Sequence, residues 1–239
     1  MQPIEQPTLE LQKQYWRYWN SRTGYPSGYA LRRGDKILAF LKYLHLQRPT
    51  ILDMGCGMGW FANQLTKYGP TTGIDLSEDA IAQARSRFPE ATFQAGNVFE
   101  MDLHEGYFDV IVSQEVIAHV TDQKAYLDRA VRLLKPRGYL IITTVNRFVH
   151  FRNQWPPSPE GHIEQWLSRR ELKSLLESHF RVLRNTTAVP MGHGGILRLI
   201  NSHKLNLVIG LVFSAEEIEA FKEWAGFGWT QIVLAQKRS

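Results

Sequence analysis

Asp53-Met54-Gly55-Cys56-Gly57-Met58-Gly59 follows a short apolar run, residues 50–54, and opens a stretch of helical character, residues 60–68. The spacing reads D-x-G-x-G-x-G between a strand and a helix. Glycines there let a backbone approach a ligand at the carboxyl end of a strand, where side chains would clash. No Gly-Lys-Ser/Thr follows, so the turn is not a phosphate-binding P-loop. The third glycine comes one residue too early for the dinucleotide G-x-G-x-x-G. Taken alone, such a turn can also be tight packing and nothing more.

Outward from this turn the chain alternates strand and helix. Residues 71–75 read as a strand, and Ser77 caps a helix to residue 88 with Glu78 and Asp79 in its first turn. Residues 91–95 and 108–113 read as strands, 122–134 as a helix stopped by Lys135-Pro136-Arg137-Gly138, and 139–144 as a strand. Residues 8–19 and 32–44 look helical. This order predicts an α/β fold, a doubly wound, Rossmann-like parallel sheet with helices on both faces. Beyond Asn146 come an aromatic stretch (148–166), a helix (168–179), two strands (181–189 and 230–235) and an insertion between them with a helix near Ser214. The insertion is expected to act as a lid over the sheet's carboxyl edge. One domain is expected over residues 1–239: an N-terminal helical cap (1–45), a cofactor-binding core (46–147), then substrate-side loops, insertion and closing strands (148–239).

Asp75 ends the second strand, 16 residues after Gly59, where a carboxylate can accept hydrogen bonds from the two hydroxyls of a ribose. Asn97 follows the third strand, where an amide can read an adenine edge with Val98 or Phe99 against the ring. The blocks ILDMGCGMG, GIDLS, AGNVFEM, FDVIVSQEVIAHV and LLKPRGYLIITTVNR occur in this order, and the likeness they carry extends over roughly residues 35–190. On these blocks the chain resembles the class I S-adenosylmethionine-dependent methyltransferases. The resemblance implies seven strands with the last antiparallel, S-adenosylmethionine as cofactor, a glycine loop for its methionine part, Asp75 for its ribose and Asn97 for its adenine. The expected cofactor-binding set is Asp53, Gly55, Cys56, Gly57, Gly59, Asp75, Leu76, Asn97, Val98, Phe99 and Gln114, with Tyr15, Trp19 and Arg22 from the N-terminal helix.

The pattern is most similar to the ubiquinone-biosynthesis-type O-methyltransferases. Their E-V-x-E-H-V reads here Glu115-Val116-Ile117-Ala118-His119-Val120, and their T-x-N-R reads Thr144-Val145-Asn146-Arg147. Some of those enzymes hold magnesium on two Glu and the His. Ala118 replaces the second Glu, so no metal is expected. His119 is then the candidate base for a hydroxyl acceptor, with His162 beside it. Glu115, Trp155, Trp166 and His193 are candidates for the substrate side. The bland alternatives are that His119 packs a helix start, that His193 is an exposed turn between glycines, and that the rings are core.

The chain has 239 residues, 44% hydrophobic, enough to bury a core. Its single cysteine, Cys56, excludes an internal disulfide and a cysteine zinc site. The longest apolar stretch, 207–213, is far below the ~20 residues of a membrane span, and the N-terminus lacks signal-peptide character. A cytoplasmic protein with a small-molecule acceptor and no membrane partner is expected. The first 50 residues hold eight Lys and Arg against three Asp and Glu, the whole of the net +5. That suggests an anionic or nucleic-acid surface, or simply a solvated helix face. Against nucleic acid, Ser113-Gln114-Glu115-Val116 stands where exocyclic-amine enzymes carry Asn/Asp-Pro-Pro-aromatic. N- or C-methylation of a heterocycle, RNA methylation and a non-catalytic cofactor-binding role stay open.

Overall fold

The computed structural model describes residues 7–22, 26–153 and 162–239, with side chains from 19 to 22 outside the description. Two helices, α1 (Leu9–Arg22) and α2 (Gly28–Tyr43), precede β1 (Ile51–Met54). Then come α3 (Trp60–Leu65), β2 (Thr71–Asp75), α4 (Glu78–Arg87), β3 (Thr92–Ala95) and β4 (Phe108–Gln114). A 3₁₀ turn, Ile117–His119, leads to α5 (Gln123–Leu133), β5 (Leu134–Val145) and α6 (Arg147–His150). The chain continues through α7 (Arg169–Glu177), β6 (Phe180–Pro190), α8 (Ile196–Ile200), α9 (His203–Ile209), α10 (Ala215–Ala225) and β7 (Gly228–Lys237).

Among the described residues the sheet has seven strands in the order β3-β2-β1-β4-β5-β7-β6. The first five pair in parallel, while β7 runs antiparallel between β5 and β6. The α/β expectation and the antiparallel last strand are both met. Every residue of β1 is buried, as a parallel strand covered on both faces requires. One core layer sets Leu52, Ile111, Leu140 and Val233 against Tyr126, Leu127 and Leu133 of α5 and Leu172 and Leu176 of α7. The other sets Ile51, Val110, Ile141 and Ile232 against Ile37 and Leu41 of α2 and Phe61 and Leu65 of α3. At six residues α3 is too short to hold on its own. Its anchor is Phe61, 2% exposed, whose burial contributes roughly 1.5–3 kcal/mol.

Local signals set the helix starts. Ser77 Oγ accepts from Ala80 N at 3.3 Å, and Asp122 Oδ1 from Ala125 N at 2.8 Å. Ser168 with Glu171 and Ser214 with Glu217 form reciprocal caps. One boundary differs from the sequence expectation. The Lys135–Gly138 breaker ends α5 but does not separate it from β5. Leu134 already pairs with Phe108, and the register shifts before Val110 meets Tyr139, with Arg137 at φ 61° in the bulge. Among the described residues no helix is long and apolar enough to cross a membrane.

Candidate active site

The strand order reverses direction between β1 and β4, and a crevice opens there at their carboxyl ends. A cavity of about 1410 Å³ fills it. Its floor includes Asp53, Gly55, Cys56 and Gly57, one wall Asp75, Leu76, Asn97, Val98 and Phe99, and the other Gln114, Glu115 and His119. Helix α1 closes the top with Leu9, Gln12, Tyr15 and Trp16, residues spaced to share one face. Of the insertion, Met191 reaches the cavity, while α10 packs on β6 and ties to α2 by Arg32–Glu219 and Lys36–Glu223 (2.6 Å).

The turn's shape is dictated by its glycines. Gly55, Gly57 and Gly59 take φ of 88°, 52° and 80°, the left-handed region that glycine enters freely. A Cβ on Gly55 would lie 2.2 Å from Val116 Cγ2, and one on Gly59 would strike Phe93 and Ala84. Gly59 thus packs the turn rather than lining the cavity. Asp75 holds the turn in place: its Oδ2 accepts from Gly57 N at 2.8 Å and its Oδ1 from Ser77 N at 2.9 Å. Asp75 also lines the cavity, where its carboxylate can accept further hydrogen bonds.

Beneath the turn, Asp53 is 1% exposed and both its carboxylate oxygens lack a hydrogen-bond partner among the described residues. Burial, then the nearby Asp75 charge, pushes its pKa up to about 7, with Arg33 opposing. A buried carboxylate in that state fits a cationic ligand group, and the glycine turn fits close backbone approach. These features suit an aminoacyl-nucleoside such as S-adenosylmethionine, whose ammonium and ribose hydroxyls need acceptors. Asn97 faces the same cavity, but its amide is engaged within its own turn. Its Oδ1 accepts from Phe99 N at 3.2 Å, and its Nδ2 donates to Glu100 at 2.9 Å.

On the other wall Glu115 adopts φ 58°, unusual for a residue with a side chain. Its N–H donates to Thr143 O at 3.1 Å, and Thr143 Oγ1 donates to its Oε1 at 2.9 Å. Burial raises its pKa, and Arg33, 3.6 Å from Oε1, partly opposes. Arg33 also donates from Nε to Gln114 Oε1 at 3.1 Å. This guanidinium in the cleft is the residue the sequence reading missed. Its signal was available: Arg33, Ile37 and Leu41 recur every four residues on the face that α2 buries.

Three rings stack behind Glu115. Tyr15 lies on His162 at 4.4 Å between centroids, and His162 on His119 at 4.5 Å. Trp16 and Trp166 each meet His119 edge-on at 5.2 Å, and His150 packs on Trp166 at 4.9 Å and Trp229 at 5.8 Å. His119 Nδ1 sits 2.8 Å from the Ile163 carbonyl. A carbonyl only accepts, so Nδ1 carries the proton and Nε2 keeps its lone pair. Burial lowers the pKa of both His119 and His162 to about 4, which leaves the rings neutral at pH 7. Both His162 ring nitrogens and Trp166 Nε1 lack hydrogen-bond partners among the described residues. Glu164 Oε1 stands 3.6 Å from His162 Nδ1, beyond hydrogen-bond length.

His193 is not brought to this cavity; it is exposed and its N–H reaches Asn153 Oδ1 at 3.3 Å. Trp155 lies outside the described residues, as do the side chains of Trp19 and Arg22. Asn146 of the T-x-N-R block donates to the Gly226 and Gly228 carbonyls at 2.9 and 3.0 Å, fixing the start of β7.

The family described as "Methyltransferase domain" matches residues 47–200. A Mycolicibacterium smegmatis protein named "Probable S-adenosylmethionine-dependent methyltransferase" is 30% identical over 167 residues, covering 70% of this chain and 64% of that protein. A ubiquinone biosynthesis O-methyltransferase of Rhodopseudomonas palustris is 37% identical over 120 residues, 48% of this chain and 45% of that one. The chain thus spans between 45% and 64% of the length of these relatives. Among solved structures, the methyltransferase in complex with the Haloferax volcanii Trm112 activator superposes with a TM-score of 0.69 at 15% identity, covering 95% of this chain and 97% of that one. The Bradyrhizobium japonicum N-methyltransferase NodS, in complex with S-adenosyl-L-homocysteine, superposes at 0.65 with 15% identity, covering 95% and 98%. At such identities the superpositions speak for the fold. The family match runs from before the glycine turn to beyond β6, and by it the chain belongs to the class I S-adenosylmethionine-dependent methyltransferases.

Proposed function

We propose that this protein transfers a methyl group from S-adenosylmethionine to a hydroxyl of a small, flat acceptor, with His119 taking the hydroxyl proton. The observation that carries this reading is the hydrogen bond between His119 Nδ1 and the Ile163 carbonyl, which leaves a bare Nε2 on a neutral ring in the cleft wall. The cofactor supplies a methyl group already activated on a sulfonium, so the protein's part is alignment and proton handling. In this reading Asp53 receives the ammonium of the methionine part, and the Gly55–Gly57 backbone lies along it. Asp75 takes the ribose hydroxyls with its remaining lone pairs. Leu76, Asn97, Val98 and Phe99 form the adenine wall. Tyr15 and His162 hold the His119 ring by stacking, while Glu115 and Trp166 border the acceptor. The enclosed aromatic lining favours a flat acceptor over a polymer.

The test is a screen of phenols, catechols, heterocycles and tRNA with an isotopically labelled methyl donor. Label on a hydroxyl of a small molecule supports the reading; label on tRNA and on no small molecule overturns it.

A further inference from the structure

Helix α9 has no buried residue at all. A seven-residue helix is also well below the length that is stable in isolation. Its outward residues His203, Lys204, Leu207 and Val208, continued by Leu211, recur at three- and four-residue steps and so share a face. Leu207 is 59% exposed, Val208 65%, Leu211 85% and Val212 78%. On α8, which packs against α9, Ile196 and Leu199 are exposed as well, at 46% and 58%. Apolar side chains this exposed and this contiguous mark a surface that something covers.

Charge indicates what covers it. From Glu177 to Glu216 the chain contains no Asp or Glu between those two residues. Arg198, His203 and Lys204 are the charged or titratable residues of α8 and α9, and all three are exposed. At the far end, Glu217 is turned back onto the Ser214 cap, which leaves Glu216 as the nearest outward acid. A second copy seated on this face would set the cations of α8 and α9 against cations, with no acid on either helix to pair them, a like-charge contact. An apolar tip flanked by cations has the composition of an element that lies in a membrane interface, with its apolar residues at the acyl boundary and its cations at anionic headgroups.

We propose that α8, α9 and the 210–213 turn form an interfacial docking surface for an anionic lipid bilayer, with Leu211 and Val212 entering the interface. The expectation of no membrane partner rested on the absence of a spanning segment, and an interfacial element needs none. The proposal does not depend on the acceptor. Met191 does connect the start of this segment to the cleft, so a docked molecule would present the cleft near the bilayer.

The experiment is flotation of the full chain with vesicles of phosphatidylcholine alone and of phosphatidylcholine with phosphatidylglycerol. The chain should float with the anionic vesicles, and less so in high salt. Leu211→Glu/Val212→Glu should reduce this binding about tenfold or more. Arg198→Glu/Lys204→Glu should reduce it about fivefold or more per charge. The milder Leu211→Ser should give an intermediate loss, which keeps the test informative if the double variant does not fold. Unchanged melting temperature and cofactor binding in the variants would show that the loss is local. No flotation with anionic vesicles overturns the proposal, as does equal binding to neutral ones or variants that float like the parent. A parent that sediments as a dimer and becomes a monomer on Leu211→Glu/Val212→Glu overturns it in favour of a second copy.

Discussion

A buried carboxylate with no hydrogen-bond partner is a destabilised group, and among the described residues Asp53 stands in that state beneath the glycine turn. Its folded pKa, about 7, lies above the ordinary 3.8. The folded protein therefore holds a proton that the unfolded chain has lost, and stability falls as pH rises from about 4 through 7. Asp53→Asn should raise the melting temperature of the cofactor-free protein at pH 8, because no charge is then buried. The same substitution should weaken cofactor binding and flatten its pH dependence, which in the parent should tighten as pH rises through about 7. Calorimetry with the demethylated cofactor checks both; unchanged affinity would remove Asp53 from the binding site. His119 has the opposite sign. Its folded pKa, about 4, lies below 6.5, so the unfolded chain takes up the proton first and stability is lost as pH falls from 6.5 toward 4. His119→Ala should cost about 10²–10⁴-fold in turnover with cofactor affinity retained, and less for acceptors already ionised at the assay pH. Normal turnover by this variant, with a loss in His162→Ala, would move the base to His162. The histidine pair is legible in the sequence as two candidates on successive strand ends. Periodicity puts Arg33 on the buried face of α2, but only the tertiary fold brings that face, and Trp229 of β7, to the cleft.

The glycine turn acts as an element, through its backbone and not through any side chain. Gly55→Ala meets two obstacles at once, a φ of 88° and a Cβ 2.2 Å from Val116. It should cost about 1–3 kcal/mol of stability and most of the cofactor affinity. Adding Val116→Ala relieves the contact but not the dihedral, so recovery should be partial; full recovery in a thermal melt would show that the dihedral is unimportant. The strands around this turn are readable because each is a short apolar run ending in glycine, acid or amide, and the caps Ser77, Asp122, Ser168 and Ser214 announce the helices after them. The bulge at Arg137 is less readable, because Pro and Gly signal a break in either case and the pairing of Phe108 with Leu134 is a long-range fact. Helices α8 and α9 lack an apolar stripe facing a core, so periodicity says little about them.

At the scale of the whole molecule, activity should be indifferent to a chelator. Among the described residues no group of three or more His, Cys, Asp and Glu is arranged to hold a metal ion. Glu115 Oε1 and His119 Nδ1 are already engaged by Thr143 and Ile163. Loss of turnover in a chelator, restored by magnesium, would show otherwise. The sheet order carries a different consequence, for the order of assembly in time. Among the described residues strand β6 has β7 as its sole sheet neighbour, yet 37 residues separate the two strands in the chain. During synthesis the first five strands can pair as they emerge, since each partner is already made. Strand β6 cannot. For roughly two to nine seconds at ordinary translation rates it waits with its backbone unpaired, while β5 presents the other open edge. The last strand then has to slide between two edges that already exist, as the slat that locks a frame. Until it does, both edges offer a template to any neighbouring nascent chain.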